Sequence, residues 1–410
     1  MAHSGSSSAG SFSVKLLASY AFDWIVLVVI TVVAGFLGRI EPNKRPFALD
    51  DPNISFPFTE KETVPTWLLV ILCALVPVIV IFLVSMILIP GSTVPKNTGY
   101  ALIWKRKVWE LHVGWLGLLM AVGSAFFFIS GIKNMCGKPR PDLLSRCEPD
   151  IANAAKYIVG GFGQQAASSR LYSGDICKQA DSKKLDDGFR SYPSGHAAAS
   201  AAGLIYLSLF LASKFSVTLP FVVPSAAPLD DSMHSAFPSR TVPSAGSDSF
   251  EHRCGARPPR PPIYLLAITL VPFCLAIFIA ASRWFDFRHH GFDILFGFLI
   301  GTITAIYSFR YYHLPIMAGA GWAWGPRSDD RAFWAGVGRL GFAGDNLDDY
   351  PQRLEPADLG ESGDVDVHGA RGPSAVHRGE RPAGPADYQF QDVELNRMNQ
   401  GGQPPYGQAA

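Results

Sequence analysis

Three short stretches of this chain hold side chains that could do chemistry together. One is Arg190-Ser191-Tyr192-Pro193-Ser194-Gly195-His196, which runs directly into an apolar segment at 197–212. It sets a hydroxyl, a bare backbone N–H and an imidazole side by side at the mouth of a helix. Unpartnered N–H groups and the positive end of the dipole favour an anion there. Gly195 lets the backbone come closer to a ligand than any Cβ would allow. Taken alone, a Pro-Ser-Gly turn is equally an ordinary helix cap. The second stretch has Lys133 and, seven residues on, Arg140-Pro141; the third has Ser282-Arg283, then His289, then Asp293.

The chemistry these residues suit is that of a phosphoryl group. Lys133, Arg140 and Arg283 supply three cations, and arginine matches phosphate oxygens with a two-pronged contact. Ser194 and the Gly195 N–H add neutral donors, and donors preorganised in this way stabilise charge on a group in transfer. His289 with Asp293 gives an imidazole and a carboxylate that can fix its tautomer. His196 is a second imidazole, free to act as general acid and base. Each residue also has a plainer reading. Basic residues at span ends commonly anchor a helix at the interface, His289 beside His290 is then an interfacial pair, and Asp293 a helix cap.

Topology decides between these readings. The 410 residues carry a formal charge of +1 and are 48% hydrophobic, with the apolar residues gathered in the first three quarters. Six apolar runs, at 16–38, 67–89, 111–132, 197–212, 263–281 and 292–309, predict membrane spans, since about 20 helical residues cross the hydrocarbon core. The first is too long for the apolar core of a signal peptide and shows no clear cleavage site. Asp23, near its start, is expected at the interface, because a carboxylate at the bilayer centre is costly. Lys133 ends the third run and His196 starts the fourth; Arg283 ends the fifth and Asp293 starts the sixth. Two crossings separate the loops that carry them, so all three stretches emerge on one side of the membrane. Chance matches have no reason to satisfy that parity.

The remaining segments are read more briefly. Residues 1–15 are expected to be disordered, 216–262 to be a Ser/Pro-rich disordered loop, and 311–410 to be a disordered polar tail. The loop before the third run is expected to hold Lys96 and Lys105-Arg106-Lys107, and a loop of about sixty residues to precede His196. Gly336-Val337-Gly338-Arg339-Leu340-Gly341 fits a dinucleotide fingerprint but lacks the strand and helix that would give it meaning. The near-zero charge gives no reason to expect nucleic acid. Of six cysteines, Cys147 and Cys177 could pair if their loop faces an oxidising lumen. No C-x-x-C pair and no carboxylate cluster for Mg²⁺ accompanies the three stretches.

Together the three stretches resemble the signature of the type 2 phosphatidic acid phosphatases, also called lipid phosphate phosphatases. The wording Arg140-Pro141-Asp142 and Arg288-His289-His290 is similar to the fungal diacylglycerol pyrophosphate phosphatases. The resemblance covers about residues 15–310 and implies an all-α integral membrane protein with six transmembrane helices over 16–310. It implies an enzyme without metal or cofactor that removes phosphate from phosphatidate, lysophosphatidate or diacylglycerol pyrophosphate, with the bilayer as its setting. His289 would form a phosphohistidine with Asp293 as its orienter. His196 would protonate the leaving oxygen and then activate water. Lys133, Arg140, Ser194, Gly195 and Arg283 would hold the phosphate. A lipid phosphotransferase, a vanadium haloperoxidase and a non-enzymatic lipid-phosphate transporter or receptor are the alternatives. Basic residues near the spans place both termini on the cytoplasmic side of a vacuolar, endoplasmic-reticulum, Golgi or plasma membrane, with the catalytic face opposite.

Overall fold

The computed structural model describes residues 13–89, 99–161, 170–215, 217, 262–313, 323, 325–327 and 332–334. Of the segment expected to be disordered at 1–15, residues 1–12 lie outside the described residues, as do most of the 216–262 loop, Lys96 and the glycine-rich match at 336–341, whereas Val14 and Lys15 already belong to the first helix. The described residues are mostly helical, and six helices among them are long and apolar enough to cross a membrane. They are α1 (Val14–Leu37), α2 (Thr66–Leu88), α3 (Tyr100–Cys136) and, after the short α4 (Leu143–Cys147) and α5 (Ser182–Gly188), α6 (Gly195–Lys214), α7 (Ile263–Phe285) and α8 (Gly291–Tyr312).

α6 is the central helix: 78% of its most apolar window is buried, against 6% for that of α1. Its alanines Ala197, Ala198, Ala201 and Ala202 are buried, and Tyr206 and Phe210 fill the core with Ile81 and Phe309. Small residues are what a membrane interface needs, since close approach and van der Waals packing replace the hydrophobic drive there. The α6–α8 contact depends on this. A Cβ on Gly297 of α8 would collide with the backbone of Ser194, at the very start of α6.

Two sequence expectations change here. α3 begins at Tyr100, so Lys105-Arg106-Lys107 form part of a 37-residue helix rather than a loop. Three cations in the second turn do not break the helical backbone, which extends beyond the apolar run. The segment between α3 and α6 is likewise folded, not an open loop. It contributes β2 (Ile158–Gly161) and β3 (Arg170–Tyr172), and β1 (Phe47–Ala48) from the first loop completes a three-stranded sheet of order β1-β3-β2. Phe47, Ile54, Leu143, Ile176, Leu185 and Phe189 bury a small core of their own, and a Cys147–Cys177 disulfide ties it together.

The opposite end of the bundle is closed by ion pairs. Lys214 meets Glu110 at 2.6 Å with both side chains buried, and Glu110 also accepts from the Ala323 N–H at 3.1 Å. Arg327 pairs with Asp23 at 2.7 Å and lies over the Tyr20 ring. Asp23 is thus neutralised by a partner from beyond the last span. Of the tail expected to be disordered from 311, Tyr312 still belongs to α8, and Ala323 and Ala332 are buried against the bundle.

Candidate active site

The end of α3 is fixed by Gly137, which adopts a left-handed conformation (φ +56°) and closes the helix. A side chain there would also strike the Asn43 carbonyl. The turn leaves Lys133 in the last turn of α3 and sends the chain through Lys138 to Arg140, whose N–H donates to the Gly188 carbonyl at 2.8 Å. α6 starts at Gly195 with Ser194 as its N-cap, and α7 and α8 are joined by a short turn carrying Arg288 and His289. One cavity of about 690 Å³ collects residues from all of these.

Of the sequence-predicted site residues, Lys133, Arg140, Gly195, His196, Arg283 and His289 line this cavity. Ser194 and Asp293 stand behind its wall. The Ser194 hydroxyl accepts from the Ala197 N–H at 3.4 Å, and its own N–H donates to the Asp293 carbonyl at 2.9 Å. Ser194 therefore caps α6 and joins it to α8.

The expected direct pairing of His289 with Asp293 is not what the structure shows. His289 Nδ1 lies 2.6 Å from the backbone carbonyl of Ser191. A carbonyl only accepts, so Nδ1 carries the proton and Nε2 keeps its lone pair. Asp293 accepts from Ser191 Oγ at 2.6 Å, from Lys138 Nζ at 2.8 Å and from the His290 N–H at 3.1 Å. Its influence on His289 passes through Ser191. Burial pushes the His289 ring well below the usual imidazole range, and the nearby Arg140 and Lys133 charges push the same way. His196 Nε2 is buried with no hydrogen-bond partner among the described residues, as are Arg140 Nε and Arg288 Nε.

Sequence reasoning gave several members of the site no role. Arg190 and Arg288 also line the cavity, and so do the carboxylates Glu62 and Asp187. Glu62 bridges Arg283 at 2.7 Å and Arg288 at 2.8 Å. Asp187 holds Arg140 at 2.7 Å and Arg146 at 2.9 Å. Burial would raise the Asp187 carboxyl, but Arg140, Arg146, Lys133 and Arg288 outweigh it and hold it at about 2. The guanidinium groups of Arg146 and Arg288 each lie 4.7 Å from the Phe58 ring centre, which fixes Arg288 from a second direction. Five cations thus face two carboxylates, and the surplus suits an anionic ligand. Among the described residues no group of three or more His, Cys, Asp or Glu side chains converges as a metal site would require.

Residues 114–316 match the model of the PAP2 superfamily, a segment that holds all three stretches. The chain belongs to that superfamily. Among its curated relatives, "Probable diacylglycerol pyrophosphate phosphatase 1" of Schizosaccharomyces pombe is 29% identical over 304 residues, 74% of this chain and 85% of that protein. "Diacylglycerol pyrophosphate phosphatase 1" of Saccharomyces cerevisiae is 26% identical over 73% of this chain and 82% of its own length. "Probable lipid phosphate phosphatase 4" of Arabidopsis thaliana is 27% identical over 78% of this chain and 81% of its own. No solved structure matches the chain. The PAP2 match begins inside α3, so Glu62, which braces Arg283 and Arg288, lies outside it.

Proposed function

We propose that this protein is a membrane phosphatase that hydrolyses lipid phosphomonoesters and lipid pyrophosphates through a phosphohistidine on His289, without a metal ion. One observation carries the reading: a single cavity joins the His289 ring and a surplus of cations to an apolar wall inside the bundle. Along α3 the lining runs from Asn134 and Lys133 back through Ile129, Phe126 and Val122 to Leu119. Fifteen residue steps of helix span about 22 Å at 1.5 Å per residue, so the cavity descends from the charged end into the membrane-spanning part. Leu69, Val70 and Cys73 of α2 line the same descent. A phosphorylated headgroup fits the first part and an acyl chain the second. The names of the relatives agree with that chemistry.

In the first step the Nε2 lone pair attacks phosphorus while the bond from phosphorus to the leaving oxygen breaks. The electron pair goes to that oxygen, which takes a proton from His196. Ser191 holds the other ring nitrogen as the donor, so the ring attacks from Nε2. In the second step water gives a proton to His196 and attacks phosphorus, the N–P bond breaks, and phosphate leaves with His289 regenerated. Lys133, Arg140 and Arg283 balance charge on the equatorial oxygens throughout, and losing one such donor typically costs about 10²–10³ in rate.

Phosphate release by the purified protein in detergent micelles with EDTA tests the reading. Turnover of phosphatidate should survive chelation, and His289→Ala should abolish both turnover and the trapped phosphoenzyme while the protein stays folded. Activity lost in EDTA and restored by Mg²⁺, or near-normal turnover by the variant, would overturn it. Product analysis with an added lipid hydroxyl separates hydrolysis from phosphotransfer.

A further inference from the structure

The cations of the cavity are not equivalent. Arg140 is paired with Asp187, Arg283 with Glu62 and Asp286, and Arg288 with Glu62. Lys133 and Arg190 make no ion pair with any described residue. The sequence assigns Lys133 to the phosphate, whereas Arg190, the first residue of the 190–196 stretch, has no role assigned to it there. It is nonetheless fixed in place. Its Nε donates to Asn134 Oδ1 at 2.9 Å and its Nη2 to the Ile40 carbonyl at 2.8 Å. Asn134 is held in turn by the Leu37 carbonyl at the end of α1. Both acceptors of Arg190 are neutral, so its charge is oriented but uncompensated. A guanidinium has five donors, more than Asn134 and Ile40 use, and Arg190 lines the same cavity as Lys133.

A terminal phosphoryl group carries close to two negative charges at neutral pH. Lys133 and the guanidinium groups it faces already answer them. One more fixed cation calls for one more negative group on the same ligand, a bond or two beyond the reacting phosphorus. We propose that Arg190 binds the inner phosphate of a lipid pyrophosphate, and so sets a preference for pyrophosphates over monoesters. The inference rests on the phosphatase reading. When the terminal phosphorus moves to His289 Nε2, the P–O–P bond breaks and its electron pair stays on the bridging oxygen of the lipid monophosphate. Arg190 stabilises that oxygen's phosphate, a contact a monoester substrate cannot make.

Two measurements on Arg190→Gln and Arg190→Lys test this. The first is kcat/KM for diacylglycerol pyrophosphate and for phosphatidate in the same micelles. Losing a charge-assisted contact should lower the pyrophosphate value about tenfold or more and the monoester value far less, with Lys, which keeps the charge but not the fork, in between. The second is binding of methylenediphosphonate against methylphosphonate, which needs no turnover. The bisphosphonate should weaken about tenfold in Arg190→Gln, and undiminished methylphosphonate binding shows that the site is still folded. Equal losses on both substrates, or equal weakening of both phosphonates, overturns the role of Arg190 while leaving the phosphatase reading intact. A wild-type protein that hydrolyses neither lipid overturns both.

Discussion

His289 is acted on by several neighbours at once, and they do not all pull the same way. Burial and the charges of Arg140 and Lys133 disfavour its protonated form, while the Ser191 carbonyl favours it. The first set wins, and the sign of the consequence follows. Protonation removes the lone pair from Nε2, so under the proposed mechanism phosphoenzyme formation fails as pH falls through the pKa of the ring. Because that pKa lies well below the ordinary value of about 6.5, the ring stays neutral through the mildly acid range. Single-turnover phosphoenzyme formation, followed by rapid quench, should therefore hold to about pH 6 and fall only below it. An acid limb centred above the ordinary imidazole value would contradict this account. At this scale the sequence displays the cations and imidazoles of the three stretches but not what holds them. Ser191 works through its backbone carbonyl, which every residue type possesses. Glu62 and Asp187 reach their arginines from distant parts of the chain, so no spacing announces them.

Among the elements, the α6–α8 contact matters most, because it brings the Gly195–His196 end of one helix to the His289–Asp293 end of the other. Gly297 lies against the Ser194 backbone and Gly301 against that of Ala198, with no room for a Cβ at either. Overpacking such a contact costs typically about 1–3 kcal/mol. Here it would also separate His289 from the α6 terminus with which it lines the cavity. Gly297→Val should lower kcat by at least about tenfold, since small misplacements of reacting groups are expensive, while helical content is retained. Gly35→Val is the matched control: the position has open space around it in α1 and should leave activity near normal. Full activity in Gly297→Val would show that the close approach is dispensable. The spans were legible because lipid imposes length and apolarity on them. α6 was the least distinct run for the converse reason: its neighbours are other helices, so it needs small residues more than hydrophobic ones. The folded layer between α3 and α6 was hidden because its sheet pairs β3 with β1, more than a hundred residues earlier in the chain.

Across the whole molecule the two ends of the bundle differ in kind. The end that holds the cavity also holds the three-stranded sheet, the Cys147–Cys177 disulfide and the Asn53-Ile54-Ser55 sequon, with Asn53 exposed. The other end carries Lys15, Lys105, Arg106, Lys107, Lys214 and Arg310 on or beside the spans, with Arg327 docked on Asp23. Disulfides persist in oxidising compartments, and basic residues accumulate on the cytoplasmic side. The two signals are independent, and from them we propose that the cavity faces a lumen or the outside and that the chain ends lie in the cytoplasm. In this orientation a lipid phosphate must present its headgroup to the lumenal or outer leaflet to be hydrolysed. Glycosylation mapping of the full-length protein in a eukaryotic membrane checks the assignment. Asn53 should acquire a glycan that Asn53→Gln abolishes, and a sequon engineered into the 216–262 segment should remain unmodified. A thiol-reactive polymer should label Cys147 and Cys177 only after reduction. If the 216–262 sequon were modified and Asn53 were not, the cavity would face the cytoplasm, and the disulfide would have to form against the redox poise of that compartment.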